Sequence, residues 1–195
     1  MVDLYIDFDG VLVDTITVTY KMIADKGIDL KDYENVFKFY RDLDWGKLLS
    51  NIKELNDAFY NIKLIEGSGL YKPYILTTVN SCNEMREKIA FIRSKNKTIP
   101  IICVPKGVEK CNVVDSNNAV LVDDYGGNLR SWVDNNGIGI KYSEEQSNSF
   151  ITINSLNQLL TSEEILATIF EEKKGPRLVK RNSRLLKNNF SLKTI

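Results

Sequence analysis

Asp7 and Asp9 stand two residues apart at the end of a short apolar run, Leu4-Tyr5-Ile6, and Gly10 follows at once. On an extended strand, residues i and i+2 face the same side. Two acids brought together at a strand end repel each other unless a cation lies between them. A divalent ion bound by hard oxygen ligands meets that need. Such a pair suits chemistry on a phosphate, one carboxylate attacking and the other moving a proton. Taken alone, an Asp-Gly pair after a strand is also an ordinary polar turn with solvated acids.

Further groups of the same character follow along the chain. Thr77 and Thr78 close the run Tyr74-Ile75-Leu76, and Ser81 opens a helix three residues later. A threonine hydroxyl beside a helix N-terminus can hold a phosphate oxygen. Lys106 and Lys110 follow, and either could neutralise the carboxylates. Asp123 and Asp124 then close Val120-Leu121-Val122. Adjacent residues face opposite sides of a regular strand, but where the chain turns both can approach one ion. The chain contains no histidine. That excludes Ser-His and Cys-His catalysis and leaves acid, lysine and metal chemistry. An oxygen-rich site without histidine suits Mg²⁺.

Asp7-Phe8-Asp9-Gly10-Val11-Leu12-Val13-Asp14-Thr15 resembles the first motif of the haloacid dehalogenase-like (HAD) phosphohydrolases. That family carries four motifs in order, and each has a counterpart here. Tyr74–Thr77 resembles the second and Val120–Asp124 the fourth. For the third, a lysine, Lys110 is the better match because Cys111-Asn112 after it reads as a helix start, with Lys106 as the alternative. The resemblance covers residues 2–142. It implies an HAD-like Rossmannoid α/β fold, a parallel sheet with helices on both faces and a small helical C1 cap. It implies Asp7 as the nucleophile that forms an aspartyl-phosphate, and Asp9 as the acid/base. It further implies Thr77, Thr78 and Lys110 as phosphate ligands, Mg²⁺ on Asp7, Asp9 (through its carbonyl) and Asp124, and Asp123 acting through water or the lysine.

The same resemblance bears on substrate. The short cap, the lysine near a helix start and the Asp-Asp fourth motif look most like the 5'(3')-deoxyribonucleotidase branch, which implies a nucleoside monophosphate. Phe37, Phe39, Tyr40 and Trp45 could stack on a base, although core packing of a small lid is the simpler role for them. Asp14-Thr15, by contrast, is common in sugar-phosphate and phosphoglycolate relatives, so a phosphatase of that kind or a phosphomutase stays open. A nucleic-acid 3'-end phosphatase and a non-catalytic HAD-fold binding protein are the remaining alternatives.

These residues need a scaffold. Strands are expected at 2–8, 70–77, 99–104, 119–122, 139–142 and 150–153. Helices are expected from the Ser81/Glu84 capping box to about Ser94, over 129–135, and from Ser155 with a restart at Ser162 running to Lys174. Alternating strands and helices predict a parallel sheet whose ligands bind beyond the carboxyl ends of its strands. The core is expected at 1–15 and 66–172, with residues 16–65 inserted as the helical cap.

A chain of 195 residues, 43% hydrophobic and 27% charged, has room for one domain with a real core and a small insertion. Cys82, Cys103 and Cys111 are odd in number and lack CxxC spacing, which predicts reduced thiols and no disulfide framework. With no apolar run of bilayer length and no signal-like N-terminus, a cytoplasmic location without membrane association is expected. Eight Lys/Arg and no acid follow Glu172, leaving the preceding chain with an equal excess of acids. That basic tail, 173–195, could pack on the acidic body or on a second copy of the chain, as a homo-oligomer, or could bind nucleic acid.

Overall fold

A computed structural model describes residues 1–171. The basic tail expected at 173–195 lies outside the described residues. Six parallel strands form one sheet in the order β3-β2-β1-β4-β5-β6. They are β1 (Val2–Ile6), β2 (Tyr71–Val79), β3 (Ile101–Pro105), β4 (Val120–Asp123), β5 (Ile138–Tyr142) and β6 (Ile151–Ile153). The chain winds outward from β1 to β2 and β3, then crosses back to place β4 on the other side of β1. That reversal makes the carboxyl ends of β1 and β4 a natural crevice.

The period-two pattern of the strands sorts their side chains to two faces. Leu4, Ile6, Ile75, Val120 and Val122 enter one core, with Phe59, Ile62, Ile92, Leu159 and Ile165 from helices packed on that face. Tyr5, Leu76 and Leu121 enter the other, under Leu129 and Trp132. The helices of the first face include α4 (Ala58–Ser68), α5 (Cys82–Lys95), α7 (Gln158–Thr161) and α8 (Glu163–Leu166); α6 (Gly126–Asp134) covers the second. Buried Trp132 satisfies its indole by donating to the Ala119 carbonyl at 3.0 Å.

Between β1 and β2 the chain inserts α1 (Thr15–Asp25), α2 (Tyr33–Asp42) and α3 (Trp45–Ser50). Each starts on an aspartate, Asp14, Asp32 or Asp44, whose carboxylate accepts a first-turn amide. The insertion leaves and re-enters at one place. Val13 bridges Glu54, Asp14 N donates to Lys53 O, and Leu55 N donates to Leu12 O, both at 3.0 Å. Beyond that closure α4 packs against β2 and α7.

Several elements differ from their sequence expectation. β1 ends at Ile6, not residue 8, because residues 7–10 already turn. β3 begins at Ile101, after Pro100, whose carbonyl accepts from Ile75 N while its nitrogen has no proton to give. The helix start expected after Lys110 is a single 3₁₀ turn, Lys110–Asn112. α6 begins three residues before Leu129, at Gly126. After Thr161 the chain restarts on the Ser162 cap as foreseen and passes into a π turn, Ala167–Glu171. No helix among the described residues is long and apolar enough to cross a membrane. The three cysteines are free thiols.

Candidate active site

The register brings the acids level. Ile6 pairs with Val122 on one side and Ile75 on the other. Asp7 and Asp123 therefore leave their strands side by side, and Asp7 N still donates to Val122 O at 2.9 Å. Thr77, two residues beyond Ile75, stands on the adjacent strand. The loop after Asp7 folds back tightly, with Leu12 N and Val13 N donating to Phe8 O and Gly10 N to Val13 O.

Lys110 joins the two strand ends. Its ammonium lies 2.9 Å from Asp7 Oδ1 and 2.7 Å from Asp123 Oδ2, with all three side chains buried. Burial alone would lower the Lys110 pKa, but Asp7 and Asp123 outweigh it and hold the amine protonated. Lys106 lies exposed on the preceding loop, so the geometry brings Lys110 and not Lys106 to the acids. Asp123 is further held by Asn128 Nδ2 at 2.9 Å and by Tyr125 N at 2.8 Å. With three protein donors on it, Asp123 serves as an anchor for Lys110 more than as an open ligand.

Asp7, Asp123 and Asp124 each present a carboxylate oxygen, all within 4.8 Å of one another. Burial, then the neighbouring acids, push Asp7 up to about 8 against the pull of Lys110. Burial and Asp123 push Asp124 up to about 7. Acids this strained in their ionised form fit a site built around a cation, and hard carboxylate oxygens fit Mg²⁺. Asp7 and Asp124 would hold it.

Asp9 has its own set of partners. Its Oδ1 accepts from Thr15 Oγ1 at 2.7 Å, and its Oδ2 from Lys88 Nζ at 2.5 Å and Thr77 Oγ1 at 3.5 Å. Thr77 is fully buried, and Thr78 is half-buried beside it. Lys88 and Asn128 were not legible as site residues in the sequence. Lys88 lies in a run of charges on α5, where a solvated face is the ordinary reading. Asn128 had one signal, its place just before the helix expected from 129, a few residues after Asp123-Asp124.

Gly10 is required by space as well as by conformation. Its φ is +70°, and a Cβ there would meet Asp124 Oδ2 at 2.6 Å and its Cγ at 2.8 Å. Gly10→Ala is therefore expected to displace Asp124, and a phosphate-release assay with added Mg²⁺ checks it, with about 10²-fold slower release as the expected result. Stability should fall as well, by more than about 1 kcal/mol, read as a drop in Tm. Unchanged turnover would show that Asp124 tolerates the shift.

A six-strand parallel α/β sheet of this order, with acids at the ends of its two central strands, defines a Rossmann-like HAD fold. Solved structures with the same fold include a hydrolase from Pseudomonas syringae, 11% identical, with a TM-score of 0.58 over 83% of this chain and 97% of that one. A HAD-superfamily hydrolase of subfamily IA, variant 1, from Geobacter sulfurreducens is 10% identical, with a TM-score of 0.56 over 83% and 98% of the two chains. A candidate β-phosphoglucomutase from Thermotoga maritima is 12% identical, with a TM-score of 0.51 over 83% and 97%. Neither a family model nor a curated protein matches this sequence.

Proposed function

We propose that this protein hydrolyses small phosphomonoesters with Mg²⁺ through an aspartyl-phosphate on Asp7. The observation that carries the reading is the buried Asp7–Lys110–Asp123 chain at the strand ends, with Asp124 beside it and Thr77 in contact with Asp9. An Asp7 carboxylate oxygen attacks phosphorus as the bond to the leaving oxygen breaks, and Asp9 gives that oxygen its proton. Asp9 then takes a proton from the water that attacks the aspartyl-phosphate, which releases phosphate and restores Asp7. Lys110 offsets negative charge on Asp7, and Thr77 and Thr78 hold phosphate oxygens. When bound, Mg²⁺ would neutralise charge on the transferring phosphoryl group. We take α1 to α3 as the cap, shorter than the 16–65 expected because α4 packs on β2; closed at its base by the Val13–Glu54 bridge, it would exclude water from the crevice.

A sugar phosphate is the substrate class we favour. The family IA and phosphoglucomutase-type neighbours support it, as does Asp14-Thr15. Phe39 and Trp45, which could have stacked on a base, are buried in the cap, with Trp45 Nε1 tied to the Tyr40 carbonyl. A nucleoside monophosphate is the second reading, for which Phe37 is an exposed aromatic among the candidates. Phosphate release with Mg²⁺ across sugar phosphates, phosphoglycolate and nucleoside 5'- and 3'-monophosphates tests both. Selective release from the sugar phosphates supports the favoured class; release confined to nucleotides supports the second; no release overturns the reading.

Chelation is expected to abolish turnover and Mg²⁺ to restore it. Mg²⁺ should also raise Tm, since an ion bound only by the folded chain stabilises it, by about 2.7 kcal/mol at a hundred times its Kd. Hydrolysis that persists in EDTA would count against the site.

A further inference from the structure

Lys88 belongs to none of the motif positions, yet it is fully buried at the crevice. Its ammonium lies 2.5 Å from Asp9 Oδ2, 2.7 Å from Glu84 Oε1 and 3.0 Å from the Thr78 carbonyl, with Thr77 Oγ1 at 3.3 Å. The cap closes over it: the Trp45 ring is 4.8 Å from the ammonium, and Phe8 flanks it at 5.5 Å. A lysine is almost never fully buried unless paired. Glu84, one turn earlier on α5, would by itself supply that pairing. The second acid, Asp9, is therefore what calls for explanation.

Glu84 is rigidly placed. Its other oxygen accepts from Asn80 N at 2.7 Å and Asn80 Nδ2 at 3.0 Å, and its own amide is capped by Ser81. Glu84 and Lys88 thus form a fixed unit on the core helix. That unit holds one oxygen of Asp9, while Thr15, the first residue of α1, holds the other at 2.7 Å. A carboxylate gripped through both oxygens from two elements has one orientation.

We propose that Lys88 is a positioning residue for Asp9: backed by Glu84 and opposed by Thr15, it fixes the carboxylate in the orientation from which it protonates the leaving oxygen. The inference rests on the acid/base role given to Asp9 above. It predicts a dependence on the leaving group. An alkoxide must be protonated as it departs, whereas p-nitrophenolate departs without a proton. A misplaced acid therefore penalises alkyl phosphates selectively. The effect belongs in kcat/KM, which reports the step up to phosphoryl transfer and not the later attack of water.

The test compares kcat/KM for a sugar phosphate and for p-nitrophenyl phosphate in wild type, Asp9→Asn, Lys88→Gln and the double variant Glu84→Gln, Lys88→Met. The double variant removes both buried charges together, so no unpaired carboxylate remains from the pair. The ratio of the two constants is independent of the fraction of molecules folded, so partial destabilisation does not blur it. Both Lys88 variants are expected to lose about 10²-fold on the sugar phosphate and less than about 5-fold on p-nitrophenyl phosphate. Asp9→Asn should show the same discrimination, more strongly. Equal losses on the two substrates, or no loss, in the Lys88 variants while Asp9→Asn discriminates would overturn this proposal alone. No discrimination in Asp9→Asn overturns the acid/base role of Asp9 and the proposal with it. No release by wild type overturns the phosphatase reading itself.

Discussion

Asp7→Asn is expected to lower phosphate release by about 10⁴-fold or more while leaving the protein as stable as wild type or more so. The amide is nearly isosteric with the carboxylate but cannot form the aspartyl-phosphate. Its effect on stability follows from the crowding at the strand ends. Asp7 is buried beside Asp9, Asp123 and Asp124, with Lys110 as its cationic contact. Burial and the neighbouring acids make the carboxyl costly to keep at neutral pH, where the unfolded chain ionises it freely; the neutral amide avoids that cost, and Lys110 keeps Asp123 as a partner at 2.7 Å. Release assays with Mg²⁺ and thermal melts in EDTA read the two effects separately. Retained turnover would remove Asp7 from the nucleophile's role. A large fall in Tm would show that Asp7 is held for the fold and not for chemistry.

Lys110→Met is expected to behave in the opposite way. Methionine fills much of the same volume but leaves Asp7 and Asp123 buried without their shared cation. Breaking a buried pair in this manner costs about 3–5 kcal/mol. For a chain of this length that corresponds to a fall in Tm of about 6–20 °C. Turnover should also vanish, because nothing then offsets the charge on Asp7 as phosphate approaches. Adding Asp7→Asn to Lys110→Met should recover part of the stability, since the two residues are in contact and their effects do not add. Melts within about 2 °C of wild type for Lys110→Met would mean that the ion pairs contribute little.

The four groups that could be picked out along the chain, Asp7 with Asp9, Thr77, Lys110 and Asp123 with Asp124, come together at three strand ends. They were legible because each sits at a local boundary that composition marks: an apolar run that stops at an acid or a threonine, or a lysine just before a turn. The strand pattern was legible for a related reason. Buried parallel strands read as short apolar runs, and their two-residue alternation sorts Leu4 and Ile6 from Tyr5. Boundaries were less so. Whether β1 ends at Ile6 or two residues later depends on the hydrogen bonds of the Phe8–Val13 loop, and those join residues across a turn. The extent of the helical insertion depends likewise on the meeting of Val13 with Glu54, forty-one residues apart in the chain.

Sequence alone determined the class of fold and the chemical character of the site, because both follow from local order: apolar runs, turn residues, acids without histidine. It favoured Lys110 over Lys106 only through the helix-like start that follows it, since four residues of loop look alike until one side chain is buried between two carboxylates and the other is left in solvent. It could not find Lys88. In the sequence that residue is one charge among several on a helix; in the folded chain it is a buried ammonium between Glu84 and Asp9. The difference is physical. A lysine's role is set by what surrounds its amine, which lies at the far end of a long side chain, and only the packing of α3 against α5 decides that.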